Sequence, residues 1–224
     1  MKIKSLLMPA MLAVLSVASN VAQASVVAYT TQASFLAAIS NAGTDTYDDL
    51  AVAPLATPQA RTAGAYSYSA SVGPTSGFYG ASDNGIDNWL STDNSTDTVT
   101  FNSFSSGVTG VGGFFFGSNI FGFSTSTPAT LNFSAVDADG ALLHSQVNPT
   151  TSSFLGFVST SGMTSLSFWI GDQGTGITGV WHTVNDLTLG TAASSSVPEP
   201  GSLALAGIAL LGLSGARRRV LKKQ

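Results

Sequence analysis

Short stretches in which apolar and polar residues alternate dominate the middle of this chain and constrain its fold more than any other feature. The clearest lies between Ala65 and Val72, where Tyr66, Tyr68 and Ala70 alternate with three serines. A period of two places successive side chains on opposite faces of a β-strand. Similar runs recur between Gly, Asn, Asp and Pro residues, which favour turns. We therefore predict an all-β domain.

Many short strands separated by turn residues at this spacing are typical of a two-sheet antiparallel sandwich. We predict such a sandwich with jelly-roll-like connections. A parallel β-helix is the other all-β option, but the chain shows no repeat of constant period. The predicted strands are Val26 to Tyr29, Thr46 to Leu50, Ala65 to Val72, Thr98 to Phe104, Val108 to Phe116, Thr130 to Val136, Ala141 to Gln146, Phe154 to Ser159, Leu166 to Ile170 and Val180 to Leu189.

One short helix is predicted near the start of the domain. Thr31 is suited to cap its N-terminus, and Phe35, Leu36 and Ile39 fall on one helical face. Gly43 is the expected stop signal, since glycine often ends helices.

Positive charge is almost absent from the central region. Between Ser25 and Ser196 the chain keeps one cation, Arg61, against eleven aspartates and no glutamate. Nucleic-acid binding relies on Lys and Arg that neutralise phosphates, so we predict no nucleic-acid partner. With roughly 170 residues, this region is long enough for one domain with its own core, predicted as 25–190. The whole chain has no cysteine, so no disulfide contributes to its stability.

The N-terminal segment, 1–24, has the parts of a secretory signal peptide. Two lysines precede an apolar stretch from Leu6 to Val17, and Ala22 and Ala24 form a small-residue cleavage site. We expect the mature protein to begin at Ser25.

The C-terminal segment has the features of a short membrane helix. From Ser202 to Ala216 the chain contains only Leu, Ala, Gly, Ile and Ser, and Arg217, Arg218 and Arg219 follow directly. Fifteen helical residues span only about 22 Å, whereas the hydrocarbon core is about 30 Å thick. The arginines predict a cytoplasmic end. An Ala/Ser-rich linker, 191–197, separates this segment from the domain.

The order Val197, Pro198, Glu199, Pro200, apolar helix and arginine cluster resembles the PEP-CTERM sorting signal of Gram-negative bacteria, here 198–224. The resemblance implies export through the inner membrane and transient anchoring there. It also implies an exosortase that recognises Pro198-Glu199-Pro200, cuts nearby, and releases or transfers the domain to the cell surface. Such tails are also described as ice-binding-protein C-terminal domains, but that label predicts no activity here.

A cluster of oxygen-bearing side chains is the candidate metal site. It comprises Asp83, Asn84, Asp87, Asp93 and Asp97. Ca²⁺ collects six to eight oxygen ligands from such residues, so a structural Ca²⁺ ion is one interpretation. The other is turn formation, because Asp and Asn also bond to their own backbone.

A second, weaker metal candidate is the pair Asp137 and Asp139. For this pair a hairpin turn with Asp139-Gly140 at its tip is the stronger interpretation.

Aromatic residues suggest a carbohydrate site. We expect Trp89 to be exposed because it lies between the two Asp/Asn-rich stretches, where a sugar ring can stack on it. The Thr residues are too irregularly spaced for an ice-binding array.

Catalytic motifs are scarce. His144 and His182 are the only histidines, and either of them with aspartates is the candidate machinery of a hydrolase. A pair of aspartates could also serve glycoside hydrolysis, but the domain has no glutamate to act as the usual acid. We therefore predict a non-catalytic surface or matrix protein associated with exopolysaccharide or biofilm. A secreted hydrolase and a purely structural surface subunit are the alternatives.

Overall fold

The structure, a computed structural model, describes residues 26–75, 77–171 and 179–193. The described residues form one helix, α1 (Gln32–Ala38), and the following strands: β1 (Val27–Tyr29), β2 (Ile39–Asp45), β3 (Pro54–Leu55), β4 (Gln59–Ala63), β5 (Tyr66–Gly73), β6 (Phe78–Ser82), β7 (Asn88–Thr92), β8 (Thr98–Asn102), β9 (Gly110–Ser118), β10 (Thr130–Asp137), β11 (Ala141–Val147), β12 (Phe154–Val158), β13 (Met163–Ile170) and β14 (Trp181–Ala192).

The strands form two antiparallel sheets. The eight-stranded sheet has the order β1-β12-β9-β14-β7-β6-β3, and β2 joins it by pairing with β14. The six-stranded sheet has the order β11-β10-β13-β8-β5-β4. The two-sheet antiparallel sandwich with one short helix is thus confirmed, and the jelly-roll connectivity stays a prediction. Both targeting segments lie outside the described residues.

Phenylalanine rings from both sheets fill the space between them. Phe115 of the eight-stranded sheet meets Phe133 and Phe168 of the six-stranded sheet, with ring centroids 5.0 Å apart in each pair. All three side chains are fully buried. Burying one such side chain stabilises the fold by roughly 1.5–3 kcal/mol, so these rings account for much of the cohesion between the sheets.

Helix α1 covers part of the outer face of the eight-stranded sheet. Thr31 caps it as predicted, because its hydroxyl accepts a hydrogen bond from the backbone N–H of Ser34 at 3.2 Å. Phe35 is buried over Gly156, where a Cβ would collide with the Phe35 ring. The missing side chain at Gly156 therefore creates the space that the helix occupies.

The predicted end of the helix is wrong. The chain becomes extended at Ile39, which starts β2, and Leu36 is 41% exposed. Gly43 lies inside β2, where a Cβ would overlap the backbone carbonyl of Ala63 on β4. This glycine permits a close contact between the two sheets rather than ending a helix.

Strands β2, β3, β4, β6 and β7 were not predicted, and the predicted strand Thr46 to Leu50 is not formed. Tyr47 instead adopts a left-handed conformation with φ of 62° in the connection after β2. In β7 all five residues are buried, since both of its faces are covered. Period-two alternation is absent from such a strand, so the sequence pattern does not reveal it.

Arg61 of β4 holds the two sheets together where their edges meet. Its Nε and Nη2 donate to the carboxylate of Asp45, at the end of β2, at 2.9 and 2.6 Å. Nη1 and Nη2 also donate to Asp49 at 2.8 and 2.6 Å. Burial lowers the pKa of Arg61, but the hydrogen bonds to Asp49 and Asp45 outweigh it and hold the pKa above its ordinary value. The guanidinium therefore stays charged.

Two tyrosines complete this cluster. The Tyr68 hydroxyl donates to Asp45 at 2.7 Å and forms a 2.9 Å hydrogen bond with the Tyr47 hydroxyl. The guanidinium carbon of Arg61 lies 5.3 Å from the centroid of the Tyr47 ring. Burial raises the pKa of both tyrosines, with a further contribution from the nearby Asp45 carboxylate. Both hydroxyls therefore stay protonated and available as donors.

We predict that Arg61→Leu destabilises the protein by about 3 kcal/mol, because it leaves the buried Asp45 carboxylate without its partner. Chemical denaturation measures the change. Asp49→Asn is the matched control, since Asp49 is 69% exposed and its ion pair contributes about 1 kcal/mol or less. Equal losses for the two variants would contradict this account.

Candidate functional site

The residues of the first Asp/Asn-rich stretch stabilise turns. Asn84 Oδ1 accepts hydrogen bonds from the backbone N–H groups of Ile86 and Asp87 at 2.8 and 3.0 Å. The carboxylate of Asp83 accepts from the backbone and the hydroxyl of Ser124 in a neighbouring loop. Asp87 accepts from the side-chain amide of Asn185 at 2.9 Å.

The second stretch joins loops at one end of the sandwich. Asp97 is buried and accepts from the backbone N–H and the hydroxyl of Thr75 at 3.2 and 2.9 Å. The backbone carbonyl of Asp93 accepts from the indole N–H of Trp181 at 3.3 Å. These bonds connect separate crossovers between the two sheets.

The predicted Ca²⁺ site is therefore not assembled. Within the described ranges, no group of three or more His, Asp or Glu side chains is placed to hold a metal ion. The structure does not bring the five predicted ligands together, because four of them take part in separate hydrogen bonds: Asp83, Asn84, Asp87 and Asp97.

The pair Asp137 and Asp139 forms the predicted hairpin turn instead. Asp137 Oδ1 accepts from the backbone N–H groups of Asp139 and Gly140 at 2.9 and 3.0 Å. Ser159 donates to the other carboxylate oxygen of Asp137 at 2.7 Å. These hydrogen bonds lower the pKa of Asp137, and the one from Ser159 has the largest effect. The acceptor that holds this turn is therefore a charged carboxylate.

The predicted exposure of Trp89 is wrong. Its side chain is only 3% exposed and packs edge-on against Phe116, with ring centroids 5.2 Å apart. Its indole N–H donates to the carbonyl of Gly122 at 3.1 Å, which fixes the loop above it. Neither ring face is open to a sugar, because β7 is buried on both sides.

The two histidines lie in different surroundings. His182 is fully buried, packs edge-on against Phe168, and neither of its ring nitrogens has a hydrogen-bond partner among the described residues. Burial lowers its pKa to about 3, and the nearby Asp97 carboxylate offsets only part of this effect. His144, on β11, contacts the ring of Phe157.

The outer face of the six-stranded sheet is not covered by α1, which packs on the other sheet. Hydroxyl groups form a row across four of its strands, where cross-strand register pairs Ser134 with Ser167, Ser167 with Thr100, and Thr100 with Ser71. The hydroxyls of Thr100 and Ser167 bond to each other at 2.9 Å. The outward positions of all six strands carry no charged side chain.

Trp169 stands on this face. It alternates with the buried Phe168 and Ile170 along β13, so its indole points outward and is partly exposed. Its cross-strand neighbour is Asn132 on β10, whose side-chain oxygen accepts a 2.8 Å hydrogen bond from Ser145 on β11. The sequence favoured Trp89 over Trp169 as the exposed tryptophan, because Trp169 lies in an apolar stretch that predicts a core position. The sequence did contain one indication of its position: Trp169 lies between Phe168 and Ile170, so in a strand its side chain points to the face opposite theirs.

Comparison with known protein families places a PEP-CTERM protein-sorting motif at residues 196–219. The predicted sorting residues Val197, Pro198, Glu199 and Pro200 and the arginine cluster fall inside this match, outside the described residues. The motif implies export to the cell envelope or surface of a Gram-negative bacterium and processing by an exosortase.

Searches of curated proteins and of solved structures find no match to the chain. None of the helices in the described ranges has the length and apolar character that a membrane crossing requires. The predicted membrane helix, the arginines and the cleavage residues Ala22 and Ala24 lie outside those ranges.

We predict that stability falls as pH is lowered from 7 to 4.5, in part because of His182. Its pKa is depressed in the folded state, so the unfolded state binds more protons below about pH 6.5. This group alone should lower the free energy of unfolding by roughly 2–3 kcal/mol over that interval. Denaturation of His182→Leu at both pH values should show a correspondingly smaller decrease in the free energy of unfolding. His144→Leu, the control, should retain the wild-type loss; an unchanged loss in His182→Leu would refute the assignment.

Proposed function

We propose that this chain is a non-catalytic β-sandwich module that associates with extracellular polysaccharide after its export and processing. The observation that supports this proposal is the chemical character of the outer face of the six-stranded sheet. This face offers hydroxyl and amide groups, one tryptophan and no charge over several strands. Such a surface suits a ligand that is itself rich in hydroxyl groups, because each displaced water can be replaced by a hydrogen bond.

The geometry of the chain supports display of this face. The described part of the chain ends at Ala193, whose backbone N–H donates to the carbonyl of Ala38 at the end of α1. Strand β14 ends one residue earlier, at Ala192, and begins at Trp181; eleven residue steps of about 3.3 Å separate these two residues by roughly 36 Å. The contact between Phe168 and His182 puts Trp169 near the Trp181 end. Trp169 therefore lies toward the end of β14 opposite to the end from which the chain continues to the sorting motif.

The absence of catalysis is part of the proposal. Cysteine and lysine nucleophiles do not occur between Ser25 and Ser196. The buried His182 has a pKa of about 3 and is neutral without reaching solvent, so it cannot exchange protons with a substrate. For His144 no hydrogen bond to an Asp or Ser exists among the described residues. A base oriented by a second group is what nucleophilic hydrolysis needs.

A structural surface subunit is the second candidate, and one observation favours it. The loop after β9 exposes Ile120, Phe121 and Phe123, and Phe121 is 72% exposed. Asn119 Oδ1 accepts from the backbone N–H groups of Phe121 and Phe123, so the loop is held in one shape. Exposed apolar groups on an ordered loop are typical of contacts between proteins.

The test uses the exported protein recovered from cells, mixed with the polysaccharide fraction of the same culture. We predict that the protein sediments with the polysaccharide and releases no reducing ends from it. Digestion of the polysaccharide beforehand should abolish sedimentation, whereas digestion of accompanying proteins should not. Steady release of reducing ends would support a hydrolase. Loss of sedimentation after protease treatment of the partners alone would support the structural subunit.

A further inference from the structure

We propose that Trp169, Asn132 and Ser145 form a binding subsite for neutral polysaccharide on the outer face of the six-stranded sheet. The inference rests on the proposed function and adds the position of the site and the class of glycan. Three adjacent strands, β13, β10 and β11, supply one residue each, and the register of the sheet places them side by side.

Trp169 is the apolar part of the subsite. The other two tryptophans each donate their indole N–H to a backbone carbonyl, Trp89 to Gly122 and Trp181 to Asp93. Trp169 makes no such bond within the described chain, and its ring lies on the open face. A Trp N–H usually finds a hydrogen-bond partner when it is buried, so the half-buried indole of Trp169 leaves a donor available to a ligand. The C–H face of a pyranose can stack on the ring while a hydroxyl accepts from the N–H.

Asn132 and Ser145 are the polar part. The Ser145 hydroxyl donates to Asn132 Oδ1 at 2.8 Å, which fixes the orientation of the amide. The amide nitrogen of Asn132 then remains as a donor, since no described residue accepts from it. Ser145 Oγ remains an acceptor. Donors and acceptors beside an aromatic ring are what a sugar requires, because its hydroxyl groups need partners when its apolar face is covered.

Apolar side chains flank this group on the sheet edge. Leu143 and Val147 lie two residues to either side of Ser145 on β11, and they are 70% and 72% exposed. On the other side the row of hydroxyls continues across the sheet from Ser167. Neighbouring strands lie about 4.8 Å apart, so the face accommodates a ligand longer than one sugar that runs across the strands.

The negative charge of the domain favours a neutral glycan over an acidic one. The face itself carries no ionisable side chain, and the domain has eleven aspartates against one arginine. That arginine, Arg61, is engaged by Asp45 and Asp49. A polysaccharide that bears carboxylates or sulfates meets a negative surface without a free cation in the described structure, and long-range repulsion disfavours its approach.

The experiment is affinity electrophoresis of the exported protein in gels that contain one polysaccharide each. Hydroxyethylcellulose, mannan and dextran serve as neutral probes, and alginate and hyaluronan as acidic ones. We expect retardation by at least one neutral probe and by neither acidic probe. Trp169→Ala should weaken that binding at least tenfold, and Trp169→Phe should bind with intermediate strength because it keeps a ring. Asn132→Ala should also weaken binding.

Thr164→Ala is the matched control, because Thr164 is an exposed residue of the same strand away from the subsite. Thermal unfolding of every variant shows that a loss of binding is not a loss of folding. Wild-type affinity in Trp169→Phe and Asn132→Ala would overturn the subsite while leaving the proposed function in place. Preferential retardation by the acidic probes would overturn the neutral class. A wild-type protein that binds neither these probes nor its own polysaccharide would overturn the proposed function together with the subsite.

Discussion

The buried ion pair between Arg61 and Asp45 joins the two sheets at the side where β2 and β4 meet. A domain with a single cation uses it here, inside a network that also includes the hydroxyls of Tyr47 and Tyr68. The arrangement requires Gly43 as well, because only a residue without a side chain lets β2 approach the carbonyl of Ala63. Correct alignment of the edges in turn sets the packing of the phenylalanine rings between the sheets.

The two outer faces of the sandwich differ in how they meet solvent. On the eight-stranded sheet, Phe35 packs over Gly156 at one end and Trp89 packs against Phe116 at the other. The six-stranded sheet has no such cover within the described chain, and its outward residues around Trp169 are mostly small and polar, with Leu143 and Val147 exposed on the edge strand β11. This asymmetry leaves the outer face of the six-stranded sheet as the surface for which we propose polysaccharide binding.

Alternation of residues predicted most of the fold. The strands of the six-stranded sheet from β5 onward have one buried and one solvated face, so their sequences alternate and were assigned correctly. Strands β6 and β7 are buried on both faces and escaped prediction for that reason. The same effect explains the wrong prediction for Trp89. It was expected to be exposed because Asp and Asn surround it in sequence, whereas tertiary packing covers it.

The sequence left the Asp/Asn cluster open between turn formation and a Ca²⁺ site for a related physical reason. Asp and Asn side chains satisfy backbone groups in turns as readily as they bind Ca²⁺, and the sequence alone does not show which partner is near. Asp97 bonds to Thr75, some twenty residues away in the chain, and Asp83 bonds to Ser124. Such long-range partners are set by the order of strands in the sheets, which residue spacing does not encode.

Hydroxyl-radical footprinting of the exported protein, with and without a neutral polysaccharide that it binds, tests the central claim most directly. The account predicts that Trp169 is oxidised much faster than Trp89 in the free protein, and that bound polysaccharide slows oxidation of Trp169 several-fold. Faster oxidation of Trp89, or an oxidation rate of Trp169 that bound polysaccharide leaves unchanged, would contradict it.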